Sequence, residues 1–152
     1  MEEFPFTESE WATVSEATLS VVNAVLADDA TLRASHYINL LDVLAGLRVR
    51  HGDHPVLLET EADFADDDGE RLNLYRRAIC LAATHELPTL SIRLSLARTL
   101  SALGRSTEAA AELSACADEL PNGDDADRAS WSELVAELSQ AEPTAAPDRK
   151  GE

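Results

Sequence analysis

Lysine is almost absent from this sequence of 152 residues: Lys150 is the single example, and 12 basic side chains face 29 acidic ones. The formal net charge at pH 7 is therefore −17. Such a surface repels phosphate backbones and anionic lipid headgroups, which argues against nucleic-acid and membrane binding. A basic protein is the partner that this charge attracts. The alternative is that the acidity only keeps the protein soluble, or reflects a salty or high-GC source.

Aromatic residues, glycine and proline are also scarce, with 5% aromatics, six Gly and six Pro. Ala, Leu and Val carry the apolar share instead, which favours close-packed helices over a sheet of β-branched and aromatic residues. No apolar run approaches the roughly 18 residues that crossing a bilayer requires. The first residues lack the basic region and apolar core of a signal peptide, so we expect a soluble, cytoplasmic protein.

Cysteine occurs only twice, at Cys80 and Cys116, and each lies within an apolar helical pattern. We predict two buried thiols in a reducing compartment, in preference to a disulfide or a nucleophile. His85 lies one and a half helical turns after Cys80, which points the two side chains in different directions. We therefore predict no catalytic cysteine.

Metal-type ligands cluster only at His51, Asp53 and His54. These residues fall in a turn, without a helical His-x-x-x-His pair or a thiolate partner, so a polar turn is favoured over a zinc site. The sequence also contains no glycine-rich phosphate loop. We predict neither enzyme activity nor a metal or cofactor.

Apolar residues recur at steps of three and four along most of the chain, and no segment alternates in the two-residue period of a strand. Thr7 and Glu10 have the spacing of a capping box, with Phe6 and Trp11 as its hydrophobic staple. The predicted helices span about 7–27, 30–50, 55–65, 70–85, 89–103, 107–120 and 124–140. The apolar stripe predicted for the first comprises Trp11, Val14, Thr18, Val21, Val22 and Val25. We expect one domain over 1–141 and a disordered tail over 142–152.

The segment 90–121 keeps the spacings of a tetratricopeptide repeat (TPR), at Arg93, Leu96, Ala97, Leu100, Gly104, Ala109, Leu113, Cys116 and Pro121. The chain resembles this family there, although Arg93 and Leu100 stand where the motif has large aromatic residues. A weaker echo precedes it at Leu58, Ala62, Tyr75 and Ala78. The resemblance implies an all-α, right-handed stack of about three antiparallel hairpins with a C-terminal capping helix. It also implies that Arg93 and Arg98 line a groove and hold a partner's carboxylate.

Charge is segregated along the chain: acidic residues dominate 53–70, and arginines dominate 71–105. One interpretation is that neighbouring hairpins join the two sets in internal ion pairs. The other is a negative surface that steers a basic partner. Its predicted partner-binding residues are Glu59, Glu61, Asp63, Asp66 and Asp67, together with Arg93 and Arg98, and Glu108, Glu112, Asp118 and Glu119 extend the negative surface further along the chain.

We expect a protein-binding, TPR-like module of the immunity-protein or effector-chaperone type, with an oligomeric state that the sequence leaves open. Charge reversal at Glu61, Asp63, Asp66 and Asp67 should weaken its binding, and so should added salt. The alternative is a structural adaptor that joins a larger assembly through apolar patches, with Trp131 or Phe64 in an exposed stripe.

Overall fold

The computed structural model describes residues 1–140, and this part of the chain is helical without any strand, as the sequence predicts. Its helices are α1 (Glu8–Leu26), α2 (Ala30–His51), α3 (Pro55–Phe64), α4 (Asp68–Thr84), α5 (Leu90–Ala102), α6 (Ser106–Ala115), a 3₁₀ helix (Ala117–Asn122) and α7 (Asp125–Gln140). None of the helices in residues 1–140 is both long enough and apolar enough to cross a membrane.

Contacts divide the chain into two compact units, one over Met1–Leu87 and one that begins at Pro88. In the first unit α1 packs on α2, α2 on α3, and α3 on α4. In the second, α5 packs on α6 and on α7, and α6 also contacts α7. The expectation of a single domain over 1–141 remains a prediction, and the expected tail over 142–152 lies outside the described residues.

The N-terminus of α1 has the predicted capping box. The Thr7 hydroxyl accepts from the Glu10 amide at 3.0 Å, and the Glu10 carboxylate accepts from the Thr7 amide at 2.9 Å. The Trp11 ring stacks on Phe6, with centroids 5.6 Å apart. These contacts fix the point at which the chain enters α1.

The predicted apolar stripe of α1 is wrong in part. Val14 and Val21 are buried together with two small residues, Ala17 and Ala24, whereas Val22 and Val25 are 40% and 54% exposed. Because α1 packs on α2, a narrow stripe at three- and four-residue steps is enough to form that contact. The other apolar residues of α1 are left facing outward.

The predicted end of the sixth helix at Leu120 is also wrong, since α6 ends at Ala115 and a 3₁₀ helix follows. The reason lies in Glu119, whose carboxylate accepts from the amides of Thr89 and Leu90 at 2.8 and 3.0 Å and from the Thr89 hydroxyl at 2.5 Å. Thr89 precedes α5 but makes no side-chain cap of its own. The tighter turn after α6 thus accompanies a cap that Glu119 supplies to α5.

The interior of the second unit is formed by residues of the segment 90–121. The most buried are Leu96, Ala97, Leu100, Ala109, Leu113 and Cys116. The Trp131 indole of α7 donates to the Leu113 carbonyl at 2.9 Å, which attaches α7 to α6. Burial raises the pKa of the Cys116 thiol to about 11, so it stays protonated near neutral pH. Cys80, by contrast, is exposed, and its predicted burial is wrong because α4 buries Ala78, Ile79 and Ala82 instead.

Candidate protein-binding surface

Two interhelical turns lie side by side at one end of the first unit, and Arg33 in α2 joins them. Its Nη1 forms an ion pair with Asp66 at 2.8 Å, and its Nη2 donates to the Phe64 carbonyl at 3.0 Å. Asp66 belongs to the turn between α3 and α4, and Arg33 follows the turn between α1 and α2. We call residues 25–33 and 63–71 the hairpin end.

Exposed carboxylates are concentrated at the hairpin end, where they comprise Asp28, Asp29, Asp63, Asp66, Asp67, Asp68 and Glu70. The two cations there are Arg33, which donates to the Phe64 carbonyl, and Arg71, which donates to the Ala65 carbonyl. Helices α1 and α3 end here while α2 and α4 begin here, so their dipoles oppose one another and the side-chain charges determine the sign of the potential. Two guanidinium groups therefore face seven carboxylates.

Some of these carboxylates also shape the turns. Asp29 accepts from the Leu32 amide at 3.0 Å and Asp67 accepts from the Glu70 amide at 2.8 Å, so they cap α2 and α4. The Tyr75 hydroxyl donates to Asp63. Asp28 and Asp68 have no such bond within residues 1–140. The latter pair can be neutralised without removing a cap.

The carboxylates of this region affect the ionisation of the Tyr37 phenol in α2. Burial raises the pKa of Tyr37, and the carboxylates of Glu70, Glu61 and Asp66 raise it further, against the opposing effect of Arg33. The nearby carboxylates thus outnumber the one cation at this ring.

The predicted partner-binding residues of the first unit divide into two groups. Asp63, Asp66 and Asp67 come together at the hairpin end. Glu61 lies on α3 and pairs with Arg48 of α2 at 2.9 Å, with 17% of its side chain exposed, and Glu59 is half-buried on the same helix. Their role in binding a partner remains a prediction.

The two predicted arginines lie in the second unit and differ in exposure. Arg93 is half-buried, with Nη1 2.6 Å from Glu112 and Nε donating to the Thr89 hydroxyl at 3.2 Å. Arg98 is exposed and has no hydrogen-bond or ion-pair partner within residues 1–140. Arg105 pairs with Glu108 at 2.6 Å. These ion pairs differ from those that the ion-pair interpretation expects, because acidic residues of 53–70 pair with arginines of α2, and Arg93 and Arg105 pair with acidic residues of α6.

Exposed apolar side chains are the feature that the sequence reasoning missed. On α1, Leu19, Val22 and Leu26 are 57%, 40% and 78% exposed, and Leu32 at the start of α2 is 43% exposed. The signal was present in α1, because its apolar residues exceed what one stripe accommodates. Phe64 and Trp131, named for the adaptor alternative, are half-buried: Phe64 packs on the core of the first unit and Trp131 donates to Leu113.

The turn that contains the metal-type ligands uses them for internal bonds. His51 Nε2 lies 3.0 Å from the Glu10 carboxylate, and Asp53 pairs with Arg48 at 3.0 Å. Buried His54 accepts from the Val56 amide through Nδ1 and contacts the Glu2 carbonyl through Nε2. Within residues 1–140, no group of three or more His, Cys, Asp or Glu residues is arranged to hold a metal ion.

Comparison with protein-family models, curated proteins and solved structures found no match to this chain.

Proposed function

We propose that this chain is a non-enzymatic protein-binding module that attaches to a basic partner protein in the cytoplasm and masks part of its surface. The observation that carries the proposal is the hairpin end, where seven exposed carboxylates face two internally bound arginines. A strongly acidic helical chain of this size resembles immunity proteins and effector chaperones. A TPR-like stack of its hairpins remains part of the proposal.

The physical argument is one of steering and orientation. Complementary charge accelerates encounter with a basic surface and disfavours wrong partners, and its effect falls as salt rises. The hairpin end suits this role because its carboxylates project from two turns next to each other. Its caps at Asp29 and Asp67 hold those turns in place.

The test is affinity capture with the full chain from its source cells, followed by calorimetry with the purified partner. We expect a partner richer in Lys and Arg than in Asp and Glu. Its affinity should fall at least about tenfold between low and high salt. An acidic partner, or an affinity independent of salt, contradicts the proposal.

Neutralising variants locate the charge that matters. Asp28→Asn with Asp68→Asn should weaken binding several-fold, because two exposed charges are lost while the caps remain. The matched control is Glu133→Gln with Glu137→Gln, which removes two exposed charges from α7. Reversal at Glu61 or Asp66 is a poorer test, since it also breaks the ion pairs with Arg48 and Arg33.

A structural adaptor is the second candidate, and the exposed apolar residues of α1 and α2 favour it. In that case association should survive high salt, and the partner should be one subunit of a stable assembly. Equal affinity at both salt concentrations would select this function over the first.

A further inference from the structure

We propose that the outer face of α1, together with the hairpin end, binds a basic amphipathic helix of the partner. The inference rests on the proposed function and names the partner's chemistry. The helix would place apolar side chains on α1 and Lys or Arg side chains on the carboxylates beyond its C-terminus.

The apolar half of the surface is a stripe on α1. Leu19, Val22 and Leu26 follow one another at three- and four-residue steps, so they share one face of the helix. The buried residues Val14 and Val21 occupy a different face. Single exposed leucines are ordinary, but a helix with a second apolar stripe offers a continuous row to a partner.

The acidic half begins where this stripe ends. Leu26 is the last residue of α1, and Asp28 and Asp29 follow in the turn, with Leu32 partly exposed just beyond. The Arg33 to Asp66 ion pair brings the carboxylates of the second turn next to the first. The surface therefore changes from apolar to acidic along one direction.

The order of apolar and acidic groups on this surface indicates which kind of partner can bind to it. A basic amphipathic helix complements both halves, as in helix-in-groove recognition. A second copy of the chain complements only the apolar half, because the arginines of its own hairpin end are bound internally and supply no cation for the acidic half. An anionic membrane is excluded by repulsion from the carboxylates.

The probe is a fluorescent 18-residue peptide of leucine and lysine, designed as an amphipathic helix, with anisotropy measured against the full chain. A second peptide has the same composition with leucine spread around all faces. The variant is Leu26→Gln and its matched control is Val49→Gln, since Val49 is 87% exposed on α2 and should leave the fold equally intact.

We expect the amphipathic peptide to bind several-fold more tightly than its scrambled counterpart. Leu26→Gln should weaken it about tenfold, the loss of roughly one buried leucine, whereas Val49→Gln should change it less than twofold. Equal binding of the two peptides, or no effect of Leu26→Gln, overturns the inference. Dissociation of a homodimer by Leu26→Gln in sedimentation would also overturn it, in favour of a second copy.

The same variants separate this inference from the proposed function. If the captured basic partner loses affinity with Asp28→Asn and Asp68→Asn but not with Leu26→Gln, the function stands and the inference fails. If capture yields no basic partner, the function fails whatever the peptides do.

Discussion

The carboxylate of Glu119 caps the N-terminus of α5, where the local N-cap residue makes no side-chain hydrogen bond to the helix. It accepts hydrogen bonds from the amide and hydroxyl of Thr89 and from the amide of Leu90, which lie 30 and 29 residues earlier in the chain. These are amides that a helix start leaves without partners. Glu119 therefore acts as a structural residue of the second unit, although its sequence neighbourhood suggested a surface charge.

We predict that Glu119→Ala destabilises the second unit by about 1–3 kcal/mol, because Thr89 and Leu90 lose a charged acceptor. Thermal unfolding by circular dichroism measures the loss, and hydrogen exchange of the Leu90 amide localises it. Glu119→Gln, which keeps one acceptor oxygen, should lose less. The control is Asp118→Ala on the exposed neighbour, and an equal loss there would refute the prediction.

The sequence alone does not determine which acidic and basic side chains form ion pairs with one another. Glu61 and Asp66 both belong to the acidic segment 53–70, yet Glu61 is 17% exposed beside Arg48, and Asp66 is 76% exposed beside Arg33. Which arginine meets which carboxylate depends on the packing of separate helices. Periodicity along one helix does not determine that packing.

Gly46 in the first unit and Gly123 in the second differ in the space available for a side chain. A Cβ added at Gly46, in the middle of α2, meets nothing within 4 Å. A Cβ at Gly123, which ends the 3₁₀ helix, would lie 2.6 Å from the Leu90 side chain. Leu90 is buried, so it has little room to move away.

We predict that Gly46→Ala stabilises the first unit by about 1 kcal/mol, since alanine restricts the unfolded chain and favours helix. Gly123→Ala should destabilise the second unit by about 1–3 kcal/mol through overpacking. Chemical unfolding of both variants beside the parent protein measures the two effects. If both substitutions stabilised the protein, or both destabilised it, the space around each glycine would not explain the changes in unfolding free energy.

Helix positions could be predicted largely from the sequence, because caps and turn residues act locally. Thr7 with Glu10 marks the start of α1, and Gly52 with Pro55 separates α2 from α3. The failures lie where distant residues decide. The end of α6 depends on Glu119 reaching α5, and the burial of Val22 depends on which side of α1 meets α2. Of the proposed partner-binding surface, the sequence analysis named only the acidic part, and its role stays a prediction.

Net charge is the property of the whole molecule with the clearest consequence for stability. With 29 acidic and 12 basic residues, repulsion among carboxylates acts throughout the folded protein, whereas exposed ion pairs contribute little. Salt screens both the repulsion and the ion pairs, and the repulsion is the stronger of the two.

We therefore predict that the unfolding temperature rises by a few degrees between about 10 mM and about 150 mM NaCl. Over this range the Debye length falls from about 30 Å to about 8 Å, so repulsion between distant carboxylates is screened. Differential scanning calorimetry measures it. The combined variant Asp28→Asn and Asp68→Asn should respond less, because it carries two fewer negative charges. A fall in the unfolding temperature would mean that the internal ion pairs outweigh the repulsion.

The placement of the two tryptophans has a practical consequence. Trp11 stacks on Phe6 in the first unit, and Trp131 donates to a carbonyl in the second, and the chain contains no other tryptophan. Each unit thus carries its own intrinsic fluorophore. Replacing either indole by phenylalanine leaves a single tryptophan, so selective excitation of that indole records the melting of one unit separately in the intact chain without any attached dye.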